Sequence, residues 1–197
     1  MTQSTRQANY DIHPSFTQRW SPRAFDDQPL AEEEILRLIE AARWAPSAFN
    51  VQPWRFCYAI KGDDYWDRFL DALIPFNQSW AKNAGALIFV LSDKHTREAD
   101  GSIKGDSYSH SFDAGAAWAA LAAQAVHDGL VTHGMTGLDF EKAPAILGIG
   151  DDYRLEAGIA VGHIGKADSL PEGLQAKEQP SERKPLSAIA FHGPWQG

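Results

Sequence analysis

The chain has 197 residues, of which 44% are hydrophobic and 22% are charged. These are ordinary proportions for a globular protein, and the length suits one domain with a substantial core, so we expect residues 1–197 to form a single domain. Lys and Arg total 18 and Asp and Glu total 26, a net charge of −8. This balance argues against binding to nucleic acid or to anionic membranes, because both attract clustered cations.

The ends of the chain give no indication of export or membrane insertion. Residues 1–9 are polar, so we expect a flexible N-terminus without a secretory signal. No apolar run approaches the ~18 residues that a membrane span needs. The single cysteine, Cys57, lies in a β-rich run and is expected to be a buried thiol, with a catalytic role as the less favoured alternative. The expected location is therefore the cytoplasm.

The first part of the chain alternates between helical and strand patterns. Residues 30–44 place apolar side chains at helical spacing after three glutamates, which predicts an amphipathic helix. Residues 55–60 are rich in β-formers, and apolar residues at 66–73 again repeat at helical spacing. A helix or turn at 77–82 leads into 86–91, a continuous apolar run of the kind that is buried on both faces of a sheet.

The next two segments differ in polarity. Residues 92–107 are polar and are expected to form a surface loop or lid. Residues 108–127 have almost no polar face, and a helix that is apolar all round must be buried all round. We therefore expect this helix to form the core of a dimer; the central helix of a monomer is the alternative.

The C-terminal part completes the fold prediction. Residues 130–135 suggest a short strand, 140–149 a short helix interrupted at Pro144, and 155–164 the last core strand. Residues 167–185 are rich in proline and charge and are expected to be extended. Helices outnumber interspersed strands, so the predicted class is α+β, with a mixed central sheet flanked by helices.

Two polar segments predict a ligand site. Residues 45–54 read Ala-Pro-Ser-Ala-Phe-Asn-Val-Gln-Pro-Trp and carry no charge. Asn50 and Gln52 each offer a donor and an acceptor, which suits the edge of a flat heterocycle, and the prolines fix the backbone. Upstream, residues 19–23 read Arg-Trp-Ser-Pro-Arg. Taken alone, residues 45–54 are equally compatible with a buried turn before a core tryptophan, and residues 19–23 with a solvated pair of arginines. The order and spacing of the two segments favour the wall of a binding site.

These segments resemble the signature of the nitroreductase-like flavoprotein family, in which an Arg/Ser/Arg cluster and a Pro-Ser-x-x-Asn-x-Gln-Pro-Trp segment hold FMN. The resemblance extends from Arg19 to Arg183. It implies a nitroreductase-like fold, an intertwined homodimer with two equivalent interface sites, and a ping-pong enzyme. Such an enzyme takes hydride from NADH or NADPH and reduces a small acceptor such as a nitroaromatic, quinone or enone. It requires no general acid from the protein, since water or the flavin can deliver protons.

The resemblance also implies roles at the FMN phosphate and at the pyrimidine edge. Arg19 would bind the phosphate, with Ser21 adding a hydroxyl, because a guanidinium can bond two oxygens at once. Arg23 would face the N1/O2 edge, where negative charge accumulates in the reduced ring. Arg183 near the C-terminus would be a further phosphate ligand. Whether Lys184 also contacts the phosphate stays open. For Arg183 and Lys184 the alternative is a solvated tail.

Further residues are expected around the ring. Pro46, Ser47, Ala48 and Asn50 would contact the flavin of the partner subunit, with Gln52 near its ribityl chain or pyrimidine edge. The remaining expectations are Asn77 at the pyrimidine edge, Trp80 on the substrate side or equally in the core, and the backbone of Thr136 and Gly137 beside N5. No residue is assigned a catalytic role beyond these neighbours of N5 and Trp80. The expected cofactor-binding set is Arg19, Trp20, Ser21, Arg23, Pro46, Ser47, Ala48, Asn50, Gln52, Asn77, Thr136, Gly137 and Arg183.

Other classes have weaker support in the sequence. The seven histidines show no metal-binding spacing, so no metal is expected. The glycines at 162–165 precede no clear helix, and a G-x-S-x-G elbow is missing. Two alternatives stay open: a non-catalytic protein that stores or senses FMN, and a family member with another redox outcome such as dehalogenation, aldehyde reduction or flavin breakdown. The sequence does not identify the electron acceptor, and it does not distinguish NADH from NADPH as the electron donor.

Overall fold

The computed structural model describes residues 6–195 of the chain. Over these residues the strands are β1 Trp54–Ile60, β2 Ala86–Asp93, β3 His95–Arg97, β4 Ile103–Asp106, β5 Val131–Met135 and β6 Tyr153–Gly162. Four of them form a central sheet in the order β1-β2-β6-β5, and β3 pairs with β4 in a separate two-stranded sheet. The predicted strands at 55–60, 86–91, 130–135 and 155–164 are therefore confirmed.

The central sheet is antiparallel in all of its described pairings, so the prediction of a mixed sheet is wrong in that detail. The chain between β1 and β2 returns to the end of the sheet at which β1 finishes. Ile60 accordingly pairs with Ala86, which leaves the antiparallel direction for β2. The broader prediction of an α+β fold with a sheet flanked by helices is confirmed.

Helices cover both faces of the sheet. In the described residues they are α1 Ser15–Gln18, α2 Glu32–Arg43, α3 Trp66–Asp71, α4 Pro75–Ala81, α5 His110–His127, α6 Ala143–Leu147 and α7 Glu172–Gln175. Successive side chains of β2 point to opposite faces of the sheet. Ile88 packs with α2 and α5 in one core, whereas Phe89 packs with α3 and α4 in the other. This two-sided burial explains the continuous apolar run at 86–91.

The polar segment 92–107 is not a simple loop, which corrects the sequence prediction. β2 continues to Asp93, and β3 and β4 form a hairpin in which His95 pairs with Asp106. The buried Asp93 carboxylate accepts hydrogen bonds from Arg97, which is four residues further on. Because these charges pair with one another, the polar residues form ordered β-structure.

Helix α5 is confirmed, but its burial within one subunit is one-sided. Ala117 and Leu121 pack against the sheet, whereas Phe112 is 82% exposed and Gly115 and Ala119 are also exposed. An apolar face is thus left uncovered by the described chain, and the expected dimer core stays a prediction.

The terminal segments differ in part from expectation. Residues 1–5 of the expected flexible N-terminus lie outside the described residues, while Arg6 donates hydrogen bonds to the carbonyls of Thr17 and Arg19. The expected extended segment 167–185 contains a single helical turn at Ala167–Ser169 as well as α7. Within residues 6–195, none of the helices has the length and apolarity that crossing a bilayer requires.

Candidate cofactor site

Three arginines gather beside the loop that follows α1. The Arg19 guanidinium donates to the Ser21 hydroxyl at 3.2 Å, and burial together with the positive charges of Arg183 and Arg6 lowers the pKa of Arg19. The Arg183 side chain donates to oxygens of Ser181 and to the Glu182 carbonyl. In the described chain, neither Arg19 nor Arg183 forms an ion pair with a carboxylate. Like charges held together in this way form a site for an anion.

Two cavities meet at Arg19 and Ser21. The first, of about 360 Å³, also contacts Arg23, His133, Lys177 and Arg183 and is strongly cationic. The second, of about 570 Å³, has an apolar wall from Trp118 and Ala119 of α5 and includes Met135, Thr136 and Ala157. The combination provides an anion site beside an apolar space.

The C-terminal segment is docked onto the arginine loop by Glu178. Its Oε1 atom accepts the backbone N–H groups of Arg23 and Ala24, both at 2.7 Å. This contact brings Lys177 and Arg183 to the same cavity as Arg19. Glu178 could not be identified from the sequence, because its partners lie 155 and 154 residues away and no local pattern marks it.

Arg23 lies over a buried aromatic cluster. Its Cζ atom is 5.9 Å from the ring centroid of Trp80, and the His133 ring lies 4.6 Å from the same indole. Trp80 is only 1% exposed and also stacks on Phe25, so its expected place on the substrate side is wrong and the core alternative holds. The Nε atom of Arg23 is buried without a hydrogen-bond partner in the described protein. Such an unsatisfied donor fits a ligand that supplies an acceptor.

His133 was also missed, although it lines the cationic cavity. Burial lowers its pKa, the Pro22 carbonyl opposes this by accepting from Nδ1, and the charges of Arg23 and Arg19 lower it further. The neutral imidazole therefore persists to lower pH than in an exposed histidine.

Thr136 borders the larger arginine cavity, whereas Asn77 lines neither of the two. Thr136 is exposed and lines the larger cavity. Asn77 is 7% exposed, and its Nδ2 atom donates to the Gly137 carbonyl at 2.9 Å. A Cβ atom at Gly137 would lie 2.5 Å from that nitrogen, so this position needs glycine for the close approach. The carboxamide of Asn77 thus positions the turn after β5.

The segment 46–52 lies apart from the arginine loop within one chain. Phe49, Asn50 and Gln52 all have left-handed backbone angles, with φ of 51°, 56° and 52°. Residues in this region that are not glycine store strain, which is often found in segments that bind ligands. The Ser47 hydroxyl accepts from the Gln52 N–H, and the Ala48 N–H donates to buried Asp113.

The two segments expected to bind the cofactor therefore lie at separate places in one chain. Arg19, Trp20, Ser21, Arg23 and Arg183 meet at the cationic cavity. In contrast, Asn50 and Gln52 line a separate cavity of about 320 Å³ beside Arg55 and His95. Pro46, Ser47 and Ala48 are not among the residues that line the arginine cavities. Lys184 borders a third space with Arg6 and Arg183, which leaves its role open.

Comparisons with known proteins agree with this architecture. A model described as the nitroreductase family matches residues 16–79. A crystal structure described as an oxidoreductase containing FMN is 46% identical, covers 100% of this chain and 99% of its own, and superposes with a TM-score of 0.94. A Mycolicibacterium smegmatis protein described as an uncharacterized 15.4 kDa protein in the ask 5' region is 36% identical over 127 residues, which is 64% of this chain and 82% of that protein.

A more distant structure shows the same fold. The nitroreductase NfnB from Sphingopyxis sp. strain HMH, described as FMN- and NADPH-dependent, is 20% identical over 93% of this chain and 97% of its own, with a TM-score of 0.69. The family match, which begins just before the arginine loop, and the 46% identical relative that spans nearly the whole of both chains establish that the chain belongs to the nitroreductase family.

Proposed function

We propose that the chain is an FMN-dependent oxidoreductase that takes hydride from NADH or NADPH and reduces a small acceptor, such as a nitroaromatic, quinone or enone, by a ping-pong mechanism. The observation that carries this proposal is Arg19, which lines both a cationic cavity, shared with Arg183, and an apolar cavity, and which lies close enough to Arg183 and Arg6 for their charges to lower its pKa. A relative that is 46% identical contains FMN.

The donor set fits a phosphate-bearing, planar cofactor. Arg19, Ser21 and Arg183 supply charged and hydroxyl donors for the phosphate. The Trp118 and Met135 surfaces supply an apolar wall for a ring system. No segment of the sequence suggests a site for an adenine half, which favours FMN over FAD.

When bound, FMN would supply the hydride-accepting and hydride-donating chemistry of the reaction. The protein's contribution would then be positioning and electrostatics. Arg23 is held by the contact of its backbone with Glu178 and by the Trp80 ring, and we assign it to the edge that becomes negative on reduction. We assign the backbone of Thr136 and Gly137, at the end of β5, to the neighbourhood of N5.

We further propose that two copies of the chain share each site. The uncovered face of α5, with Phe112, Gly115 and Ala119, offers an apolar contact surface for a second copy. The segment 46–52 is strained and borders neither arginine cavity of its own chain. Contact of Ser47 and Asn50 with the partner's cofactor would account for both features. A cytoplasmic location stays a prediction.

Steady-state oxidation of NADH and of NADPH, with and without menadione, tests the proposal on the purified protein. We expect oxidation that depends on the acceptor, and a panel of nitroaromatics, quinones and enones would rank the substrates. A protein that retains FMN but turns over no donor with any acceptor would instead be a storage or sensing protein. Products of dehalogenation or flavin breakdown would indicate the alternative redox outcomes.

A further inference from the structure

The His133 ring is fixed at the wall of the cationic cavity. This residue lies on β5 and lines the cavity together with Arg19 and Arg183. Its Nδ1 atom lies 2.9 Å from the carbonyl oxygen of Pro22, and its ring centroid lies 4.6 Å from that of Trp80. The strand, the loop and the indole thus hold the imidazole beside the residues assigned to the cofactor phosphate.

The contact with Pro22 decides which ring nitrogen carries the proton. A carbonyl oxygen only accepts, so Nδ1–H of His133 must donate to it. In the neutral ring the lone pair then lies on Nε2, and residues 6–195 provide no hydrogen bond to that atom. His133 therefore brings an acceptor without a protein partner to the cavity wall.

The surroundings of His133 favour the neutral ring. Burial is the largest cause of its lowered pKa, and the positive charges of Arg23 and Arg19 lower the pKa further. The carbonyl groups of Pro22 and Ser21 oppose these effects, but the net shift is downward. The other cations that line the cavity are Lys177 and Arg183. The ring is therefore uncharged at neutral pH, and its lone pair is available to a ligand.

The rest of the cavity offers mainly hydrogen-bond donors. The four cationic side chains among its described residues have no acceptor atoms. The hydroxyl oxygens of Ser21 and Ser181 each accept already from a guanidinium group, at 3.2 Å. Trp20 can only donate, and Gln179 has a carboxamide oxygen but is exposed. His133 is thus the half-buried acceptor of the cavity.

A ligand that satisfies all of these groups must both accept and donate. A phosphate dianion accepts from the arginines, but it has no proton for the lone pair of His133. A phosphate ester that also carries hydroxyl groups satisfies both kinds of protein group, because a hydroxyl donates one hydrogen bond. The cavity therefore favours a hydroxyl-bearing phosphate ester over inorganic phosphate.

We propose that Nε2 of His133 accepts a hydrogen bond from a ribityl hydroxyl of FMN, an inference that rests on the proposed function. The ribityl chain joins the phosphate, which we assign to Arg19 and Arg183, to the ring edge that we assign to Arg23. His133 shares its cavity with all three arginines, so the hydroxyl-bearing chain is the part of the cofactor that lies between these assignments. The histidine is a binding residue and is assigned no proton transfer.

Two-bond ¹H–¹⁵N correlation spectra of His133 test this contact without reference to activity. At about pH 8 they compare the apoprotein, the apoprotein with inorganic phosphate, and the FMN complex, with the ring signals assigned through their bonds to the His133 backbone. We expect the proton on Nδ1 in all three samples. FMN alone should move the Nε2 resonance upfield, the direction that an accepted hydrogen bond produces. An Nε2 resonance that FMN leaves unchanged, or a ring protonated at Nε2 in the complex, would overturn the proposal.

Titrations with FMN and with its 2′-, 3′- and 4′-deoxy analogues identify the hydroxyl. Loss of the bonded hydroxyl should weaken binding to the unsubstituted protein about 2- to 10-fold, the usual scale of one hydrogen bond between neutral groups. His133→Phe keeps an aromatic ring against Trp80 but has no acceptor, so it should bind that analogue and FMN equally. His133→Gln offers a carboxamide oxygen in place of Nε2 and should recover most of the preference for FMN. His163→Phe, at an exposed histidine that lines neither arginine cavity, is the matched control and should keep the full preference.

The outcomes separate the two proposals. A protein that binds none of these flavins would contradict the proposed function. A protein that binds FMN, but in which His133→Phe changes the preference for no analogue, would overturn the role of His133 alone. Because the spectra are recorded on the unsubstituted protein, they decide the point even where a substitution at position 133 prevents folding.

Discussion

Glu178→Ala should undock the C-terminal segment from the arginine loop. Oε1 of Glu178 accepts two backbone N–H groups at 2.7 Å, and Ala24, which donates one of them, is 1% exposed. Hydrogen bonds to a charged acceptor contribute about 1.5–3 kcal/mol each, so the two together amount to about 3–6 kcal/mol. Since residues 175–177 and 179 are exposed and water can enter after truncation, we expect a loss of unfolding free energy near 3 kcal/mol.

Urea unfolding followed by tryptophan fluorescence measures this loss, and a flavin titration measures its consequence for the site. Arg183 depends on the docked segment, so FMN affinity should fall about 10- to 100-fold, the equivalent of one lost charged hydrogen bond. Glu178→Gln keeps the accepting oxygen and should recover most of the stability. Glu172→Ala, an exposed glutamate in α7, is the control. A Glu178→Ala protein as stable as this control would refute the reasoning.

Four further substitutions test separate parts of the site. Arg19→Ala should weaken FMN binding by roughly 1.5–3 kcal/mol, whereas Arg23→Ala should mainly slow flavin reduction. A flavin titration measures the affinity and stopped flow measures the reduction rate, and equal effects of the two substitutions on both quantities would contradict their separate roles. Gly137→Ala places a Cβ atom 2.5 Å from a carboxamide nitrogen and should lower unfolding free energy by about 1–3 kcal/mol, whereas Gly150→Ala, with open space around it, should be nearly neutral in the same assay. Ala119→Trp should separate paired α5 helices at a cost of about 1–3 kcal/mol and release dimer and flavin together; a monomer with full flavin occupancy by light scattering and absorbance would refute the shared site.

Local patterns were sufficient to predict the elements that a periodic apolar face or a continuous apolar run defines. Helix α2 follows from the spacing of Ile35, Leu38 and Ala42, all of which are buried, and β2 follows from its apolar run. The β3–β4 hairpin could not be predicted in this way. Its polar residues are ordered by charge pairs such as Asp93 with Arg97, which cancel only once the chain has folded.

The residues of the candidate site likewise divide into those that a local motif identifies and those that only the fold brings together. The arginines at 19 and 23 lie in one short motif and were identified from it. Arg6, Glu178 and His133 join them from distant segments, and nothing in their own neighbourhoods marks them. Trp80 was ambiguous for a related reason: an aromatic residue beside a motif can be core or binding surface, and only its 1% exposure settles that it is core.

The flavin released from the purified protein tests the central claim most directly. We predict a yellow protein with absorbance near ~450 nm, from which denaturation releases FMN. Recovery mainly of FAD, or a colourless protein that does not bind added FMN, would contradict the assignment of Arg19 and Arg183 to a flavin phosphate.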